Sequence, residues 1–234
     1  MVAFRFSQRT WDAEMAREVR FEKRTRRSDR SRPLRRRLLV VTQGEVTEPV
    51  YFEMLKRTHR EVVVVVEACP KSPPQMLDTA LAIKVKAARS REERYDAVWV
   101  VFDAEERPDL AVLRQLRQVA DQHGVQLAWS NPCFEVWLTL HLAFSQAQMM
   151  TATAAIRQLT ALLPNYAKDR RSAERTMATL IPQVVTALAN AVRLREGHMT
   201  RNAGEFPNPA TDVDLLVRSI AQVQAIGSHH TDNP

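Results

Sequence analysis

The sequence predicts an α/β protein: a parallel four-stranded sheet flanked by helices, followed by a helical extension. Three observations carry that prediction. Short apolar runs rich in β-branched residues recur along the first half of the chain, each too short to be a helix. Segments with helical periodicity separate them and are long enough to serve as crossovers between parallel strands. The runs also stop abruptly in polar residues, at Thr42-Gln43-Gly44 and at Asp103-Ala104-Glu105-Glu106. Strands that empty into polar loops at one edge are how such a sheet builds a site.

Residues 37 to 42 form the first predicted strand and 48 to 59 the first helix, entered through Thr47 and Pro49, residue types suited to a helix N-terminus. Glu61 to Glu67 encloses five consecutive valines, a run suited to a strand buried on both faces. Lys71, Ser72, Pro73 and Pro74 make a turn, and the prolines lead into a helix from about 75 to 92. Residues 96 to 102 form the third strand and 108 to 123 a helix. Gly124 then turns the chain into a fourth strand at 125 to 129. From Asn131 the signal is helical, roughly over 132–143, 151–163, 170–196 and 209–226. The chain thus divides into a basic, partly disordered arm (1–36), an α/β core (37–145), a helical extension (146–226) and a disordered tail (227–234).

Composition narrows the function. Hydrophobic residues make up 45% and charged residues 26% of the 234, proportions of a soluble globular protein able to bury a sizeable core. Two cysteines, Cys69 and Cys133, supply neither a disulfide framework nor a cysteine-rich zinc site. Five glycines leave little room for loops that cradle phosphates, which weighs against an NTPase or a dinucleotide enzyme. No apolar run reaches membrane-spanning length, and the basic N-terminus lacks the apolar core of a signal peptide. A cytoplasmic protein with no membrane partner is the expectation.

Charge is unevenly placed. Residues 1 to 37 hold thirteen Lys or Arg against five Asp or Glu, a net of +8, whereas the whole chain is +7, so everything after residue 37 sums to −1. Two readings of this arm stand open. Its arginines, Arg26, Arg27, Arg35, Arg36 and Arg37 among them, could neutralise phosphates and give salt-sensitive, sequence-blind affinity for nucleic acid, RNA or DNA. Otherwise the arm is a solvated segment with no specific partner.

Three segments carry site-like chemistry. In VVTQGEVTEPVYFEML (40–55), Gly44 permits close approach of backbone or ligand, and Glu45 and Glu48 stand at the lip of the first strand. In YDAVWVVFDAEERPDL (95–110), Asp103 and Glu105 alternate along an extended chain and so project to one side. Paired hard oxygens of this kind suit Mg²⁺. In WSNPCFEVWLTLHL (129–142), Asn131, Glu135 and His141 lie among large apolar residues. Asn131 reads as a helix N-cap, a role compatible with contacting nucleic acid. His141 reads as a hydrogen-bonded, partly buried histidine, and Phe134 and Trp137 as core. Lys168, in NYAKD, is either a surface lysine or one that reaches a phosphate.

The strings VVTQGEVTEPVYFEMLK, VWVVFDAEE, SNPCFEVWLTLH and NYAKD, in this order and spacing, resemble the RloB-like proteins over roughly residues 35 to 222. The family's core looks like a Toprim domain, a Rossmann-like fold that serves nucleases, primases and topoisomerases as a Mg²⁺-dependent phosphotransfer site. The family is associated with bacterial defence loci. The resemblance therefore implies an anti-phage, nuclease-like protein that uses Mg²⁺ (or Mn²⁺), with nucleic acid and other defence-locus proteins as partners. Candidate catalytic residues are Glu45, Glu48, Asp103, Glu135 and Lys168, and candidate cation ligands are Asp103, Glu105 and Glu45. Two departures bear on this. The Toprim pattern has a Glu directly before the glycine of its first loop, where this chain has Gln43, and its Asp-x-Asp reads Asp103-Ala104-Glu105 here. An amide can be neither a general base nor a carboxylate's equal as a ligand, so Glu45 or Glu48 would have to stand in. A non-catalytic binding or sensor module of a defence complex is the alternative.

Overall fold

The structure is a computed structural model that describes residues 35–104, 109–149 and 151–227. The arm to residue 34, with Arg26 and Arg27, lies outside the described residues, as do Glu105 and the tail from 228. Strands are β1 (Arg36–Thr42), β2 (Val62–Ala68), β3 (Ala97–Asp103), β4 (Gln126–Asn131) and the two-residue β5 (Ala210–Thr211). Helices are α1 (Thr47–Leu55), α2 (Pro73–Ala87), α3 (Leu110–Gln122), α4 (Glu135–Leu140), α5 (Ala152–Leu162), α6 (Arg170–Leu180), α7 (Val184–Thr200) and α8 (Val213–Gly227).

The sheet has the order β2-β1-β3-β4-β5, with the first four strands parallel and β5 antiparallel to β4. The expected four-stranded parallel sheet is therefore a five-stranded mixed one. Segment 209–226 opens with β5 before turning helical, because Ala210 and Thr211 pair with Asn131 and Ser130. β2 stands at an edge, so its valines are only partly covered: Val62 and Val64 are buried and Val63, Val65 and Val66 half-buried. Local composition could not distinguish an edge valine run from a central one.

Strand alternation builds two cores. Leu38, Val40, Trp99 and Val101 face α1 and α4 to α8, whereas Leu39, Val41, Val98, Val100 and Phe102 face α2 and α3. Several helices start where polar side chains satisfy their free N–H groups. Asp109 accepts from the N–H groups of Ala111 and Val112 at 2.9 and 3.2 Å, and Asp169 accepts from that of Ser172 at 3.0 Å. The expected helix 170–196 is two helices, since Pro182 lies in a 3₁₀ turn, Ile181–Gln183, between α6 and α7. A proline lacks the N–H an α-helix interior needs.

The continuous helical run Arg170–Thr200 contains an 18-residue window of mean hydropathy 1.3, 33% of it buried. By length and composition that run does reach the membrane-spanning range, against the expectation. Its apolar residues Ala187, Ala191 and Leu194 are packed in the core.

β1 lies between β2 and β3, so the loops after β1 and β3 leave in opposite directions and onto opposite faces. A crevice opens between such carboxyl ends, the usual position of a ligand in an open parallel sheet.

Candidate active site

The loop leaving β1 is tied to the end of β3. The Gln43 N–H donates to the Val101 carbonyl at 2.9 Å. Its side-chain oxygen accepts from the Asp103 N–H at 2.9 Å, and its amide nitrogen donates to the Lys71 carbonyl at 3.4 Å. Gly44 follows, and its N–H donates to Glu48 Oε1 at 3.2 Å. A Cβ on Gly44 would overlap the Glu48 carboxylate, so the glycine makes room for an acid folded back over the start of α1. Gly44→Ala is accordingly expected to turn the flexible end of Glu48 out of the cluster and to weaken cation binding, with little cost in stability because the displaced atoms are the end of one side chain. Denaturant unfolding alongside a Mg²⁺ titration checks it. Native cation affinity would remove Glu48 from the site.

Asp103 ends β3 on the face that carries Trp99 and Val101, and α1 and α4 pack on that face. Glu48 on α1 and Glu135 at the first position of α4 are 6% and 1% exposed. Glu135 Oε1 accepts from the Tyr166 hydroxyl and from Lys168 Nζ, both at 2.8 Å. Its Oε2 is buried without an N–H or O–H partner among the described residues.

The electrostatics are those of acids crowded together out of water. Burial, then the charges of Glu48 and Glu135, pushes Asp103 well above the ordinary carboxylate range, while Lys168 and the Phe134 N–H offset only part of this. Burial also raises Glu48, with Glu135 adding to it against local backbone hydrogen bonds. For Glu135 burial is outweighed: the Cys133 thiol, Lys168 and Tyr166 together hold its carboxyl below the usual range. Burial opposes the Lys168 charge too, yet Glu135 keeps its pKa raised. The cluster thus contains one ion pair, Glu135 with Lys168, and two further carboxylates that repel it and each other.

On the opposite side of Asp103 lies a crevice of about 850 Å³, lined by Gln43, Lys71, Ser72, Gln75, Ala104 and Asp109 among others. A separate cavity of about 520 Å³ lies beside β5, lined by Arg117, Trp129, Arg195, His198 and Asp212 and by none of the clustered carboxylates.

Of the residues predicted from sequence, the structure brings together Glu48, Asp103, Glu135 and Lys168. Glu45 stands exposed and does not figure among the groups that perturb the cluster. Arg35, Arg36 and Arg37 sit at the amino end of β1, at the opposite edge of the sheet, about 20 Å away along seven residues of strand. Arg35 donates to the Arg60 carbonyl at 3.0 Å, and Arg37 lies over the Tyr95 ring at 5.4 Å.

Asn131 is the last residue of β4 rather than a helix N-cap, because α4 begins only at Glu135. Its buried side chain donates to the Pro207 carbonyl at 3.0 Å and accepts from Asn208 at 3.2 Å, so it holds the segment that enters β5. His141 is 1% exposed and bonded to the Trp137 carbonyl at 3.0 Å and the Tyr51 hydroxyl at 3.2 Å. Burial lowers it to about 4, which keeps it neutral and structural. Sequence reasoning missed Tyr166 and Cys133. The signal for Tyr166 lay in NYAKD itself, since a tyrosine beside a site lysine needs a partner for its hydroxyl once buried.

Among the described residues, no group of three His, Cys, Asp or Glu stands close enough to hold one ion. Mg²⁺ does not require such a cage, because it is usually held by one or two carboxylates with waters and substrate phosphates completing its shell. The donors fit that mode: hard carboxylate oxygens whose charges repel, one of them Glu135 Oε2 without an N–H or O–H partner.

Fold and cluster together define a three-layer α/β protein with a buried carboxylate site at the switch point of its sheet. A family model described as RloB-like protein matches residues 38–220, and the chain belongs to that family. No curated protein and no solved structure matches it.

Proposed function

We propose that this protein is a Mg²⁺- or Mn²⁺-dependent phosphodiesterase acting on nucleic acid, with a Toprim-like core and a role in anti-phage defence. One observation carries the proposal: Glu48, Asp103 and Glu135, from three separate elements, converge with Lys168 at the carboxyl edge of β1 and β3. Asp103, with Glu48 or Glu135, would hold the cation. When bound, the ion supplies Lewis-acid polarisation of the phosphodiester and a more acidic water. Lys168 places a positive charge beside the cluster, where it can face a substrate phosphate, and Tyr166 fixes the Glu135 carboxyl. Gln43 orients Asp103 through the backbone N–H.

Purified protein incubated with RNA and with DNA tests the proposal. Cleavage is expected with Mg²⁺ or Mn²⁺ and none with chelator. Cleavage that survives chelation would defeat it.

A second reading, a binding or sensor module that never cuts, has one observation in its favour. Gln43 stands where the Toprim pattern has a glutamate, and its oxygen is already occupied by the Asp103 N–H. Gln43→Glu discriminates between the two. If the native chain is a weakened nuclease, this variant cuts faster at saturating Mg²⁺. If the variant binds nucleic acid and still does not cut, the binding reading stands.

A further inference from the structure

Beyond residue 37 the chain carries a net charge of −1, and several of its cations are engaged. Arg170 pairs with Glu174 at 3.2 Å, Arg114 with Glu205 at 2.9 Å and Arg195 with Asp214 at 2.6 Å. Lys84 donates to the carbonyls of His123 and Gly124 at 2.6 and 3.0 Å. Arg171 and Arg175 are not, and unlike Arg57, Arg60, Lys86, Arg89, Arg91 and Arg94, which are also outside any ion pair but lie at the amino edge of the sheet, they lie on the helix that follows Lys168. Both are exposed on α6, and neither makes an ion pair with any described residue.

Their position on the helix is set by its packing. α6 buries Ser172, Ala173, Thr176, Met177 and Leu180. At about 100° per residue, Arg171 and Arg175 fall within about 40° of each other on the solvent side of the helix, Arg171 nearly opposite the buried face, while Arg170 and Glu174 fall together nearer its other edge. One flank is neutralised internally and the other is wholly cationic. α6 packs against α1, which carries Glu48. Three residues ahead of Arg171, Lys168 reaches into the carboxylate cluster through its contact with Glu135. On the far side of Asp103, the exposed Lys71 lines the crevice that Asp103 also lines. Cations therefore flank the acids on both sides. The aromatics close by, Tyr51, Phe52, Phe134 and Tyr166, are all buried, which leaves no platform for stacking bases beside the cluster among the described residues.

We propose that the flank of α6 formed by Arg171 and Arg175, continuing through Lys168, docks the sugar–phosphate backbone of a nucleic-acid strand and leads it over Asp103 toward Lys71. This rests on the phosphodiesterase reading for its direction, but not for its test. Recognition is of backbone charge and so is independent of base sequence.

Full-length protein is titrated against labelled oligonucleotides of two unrelated sequences, as RNA and as DNA, by fluorescence anisotropy across a salt series. Chelator is present, so that catalysis plays no part. Arg171→Ala/Arg175→Ala is expected to weaken binding about tenfold at moderate salt and to lower the slope of log affinity against log salt by about 1.5, the release expected for two phosphates. Arg170→Ala, on the neutralised flank, is expected to bind as the native protein does. Thermal unfolding of each variant verifies the fold. An unchanged slope and affinity in the double variant, an equal loss in Arg170→Ala, or no binding by the native chain would overturn the proposal. Native binding that depends on Arg171 and Arg175 but is never followed by cleavage in Mg²⁺ would leave the docking surface standing and remove the nuclease.

Discussion

Asp103→Asn is expected to reduce cleavage by about a hundredfold or more, a loss of roughly 3 kcal/mol in transition-state stabilisation, without unfolding the protein. The asparagine keeps the shape of the side chain and removes the charge that would hold the cation. The stability side follows from linkage. Burial, Glu48 and Glu135 raise the Asp103 pKa in the folded state above its value in the unfolded chain. Ionising Asp103 therefore costs the folded state stability, a loss that begins above the unfolded pKa and is complete above the folded one. At neutral pH the asparagine variant escapes that loss, so its melting temperature in chelator should equal or exceed the native value, and the advantage should shrink on acidification. Activity and stability moving in opposite directions is the signature of a charge kept for function. A variant that loses cleavage because it unfolds, or one that cleaves normally, would contradict this.

Trp137→Ala carries the largest expected cost in stability. Trp137 is fully buried, edge-on to Tyr51 at 6.2 Å and to His141 at 4.9 Å between ring centroids. It pins the six-residue helix α4, too short to persist by its own propensity, against α1. Truncating it removes a large apolar surface and leaves a cavity, together about 3–5 kcal/mol. For a chain of this size that lowers the melting temperature on the order of 10 °C. Glu135 lies two residues ahead on the same helix, so cation affinity should fall with stability. Calorimetry and a Mg²⁺ titration of the folded variant measure both. A shift of only a degree or two would mean that α4 is held by something other than its aromatic contacts.

Much of this architecture was legible because the signals are local. β1 and β3 carry apolar runs that end in Thr42-Gln43 and in Asp103, and the turn at Ser72 with its two prolines marks the start of α2. What was not legible depends on partners distant in sequence. β5 is two residues long and exists only because Ser130 and Asn131 pair with it. Asn131 looked like a cap because its true partners, Pro207 and Asn208, lie about 76 positions away. Pro182 did signal the break between α6 and α7, but the helical periodicity on both sides concealed it. In the site, the sequence offered Glu45 and Glu48 equally. What separates their surroundings is the backbone, which turns Glu48 onto the Gly44 N–H and leaves Glu45 exposed. Glu135 and Lys168 stood out in the sequence as separate candidates, and what it could not show is that they pair with each other.

If the protein works as proposed, the carboxylates at the carboxyl edge of β1 and β3 hold a divalent cation. The most direct measurement is an anomalous difference map from crystals soaked in Mn²⁺ near neutral pH. A peak is expected about 2.1–2.2 Å from an Asp103 carboxylate oxygen, with Glu48 or Glu135 as a direct or water-bridged partner, and no peak there in Asp103→Asn crystals. A fully soaked crystal with no density beside Asp103, its Lys168–Glu135 pair intact, would contradict it.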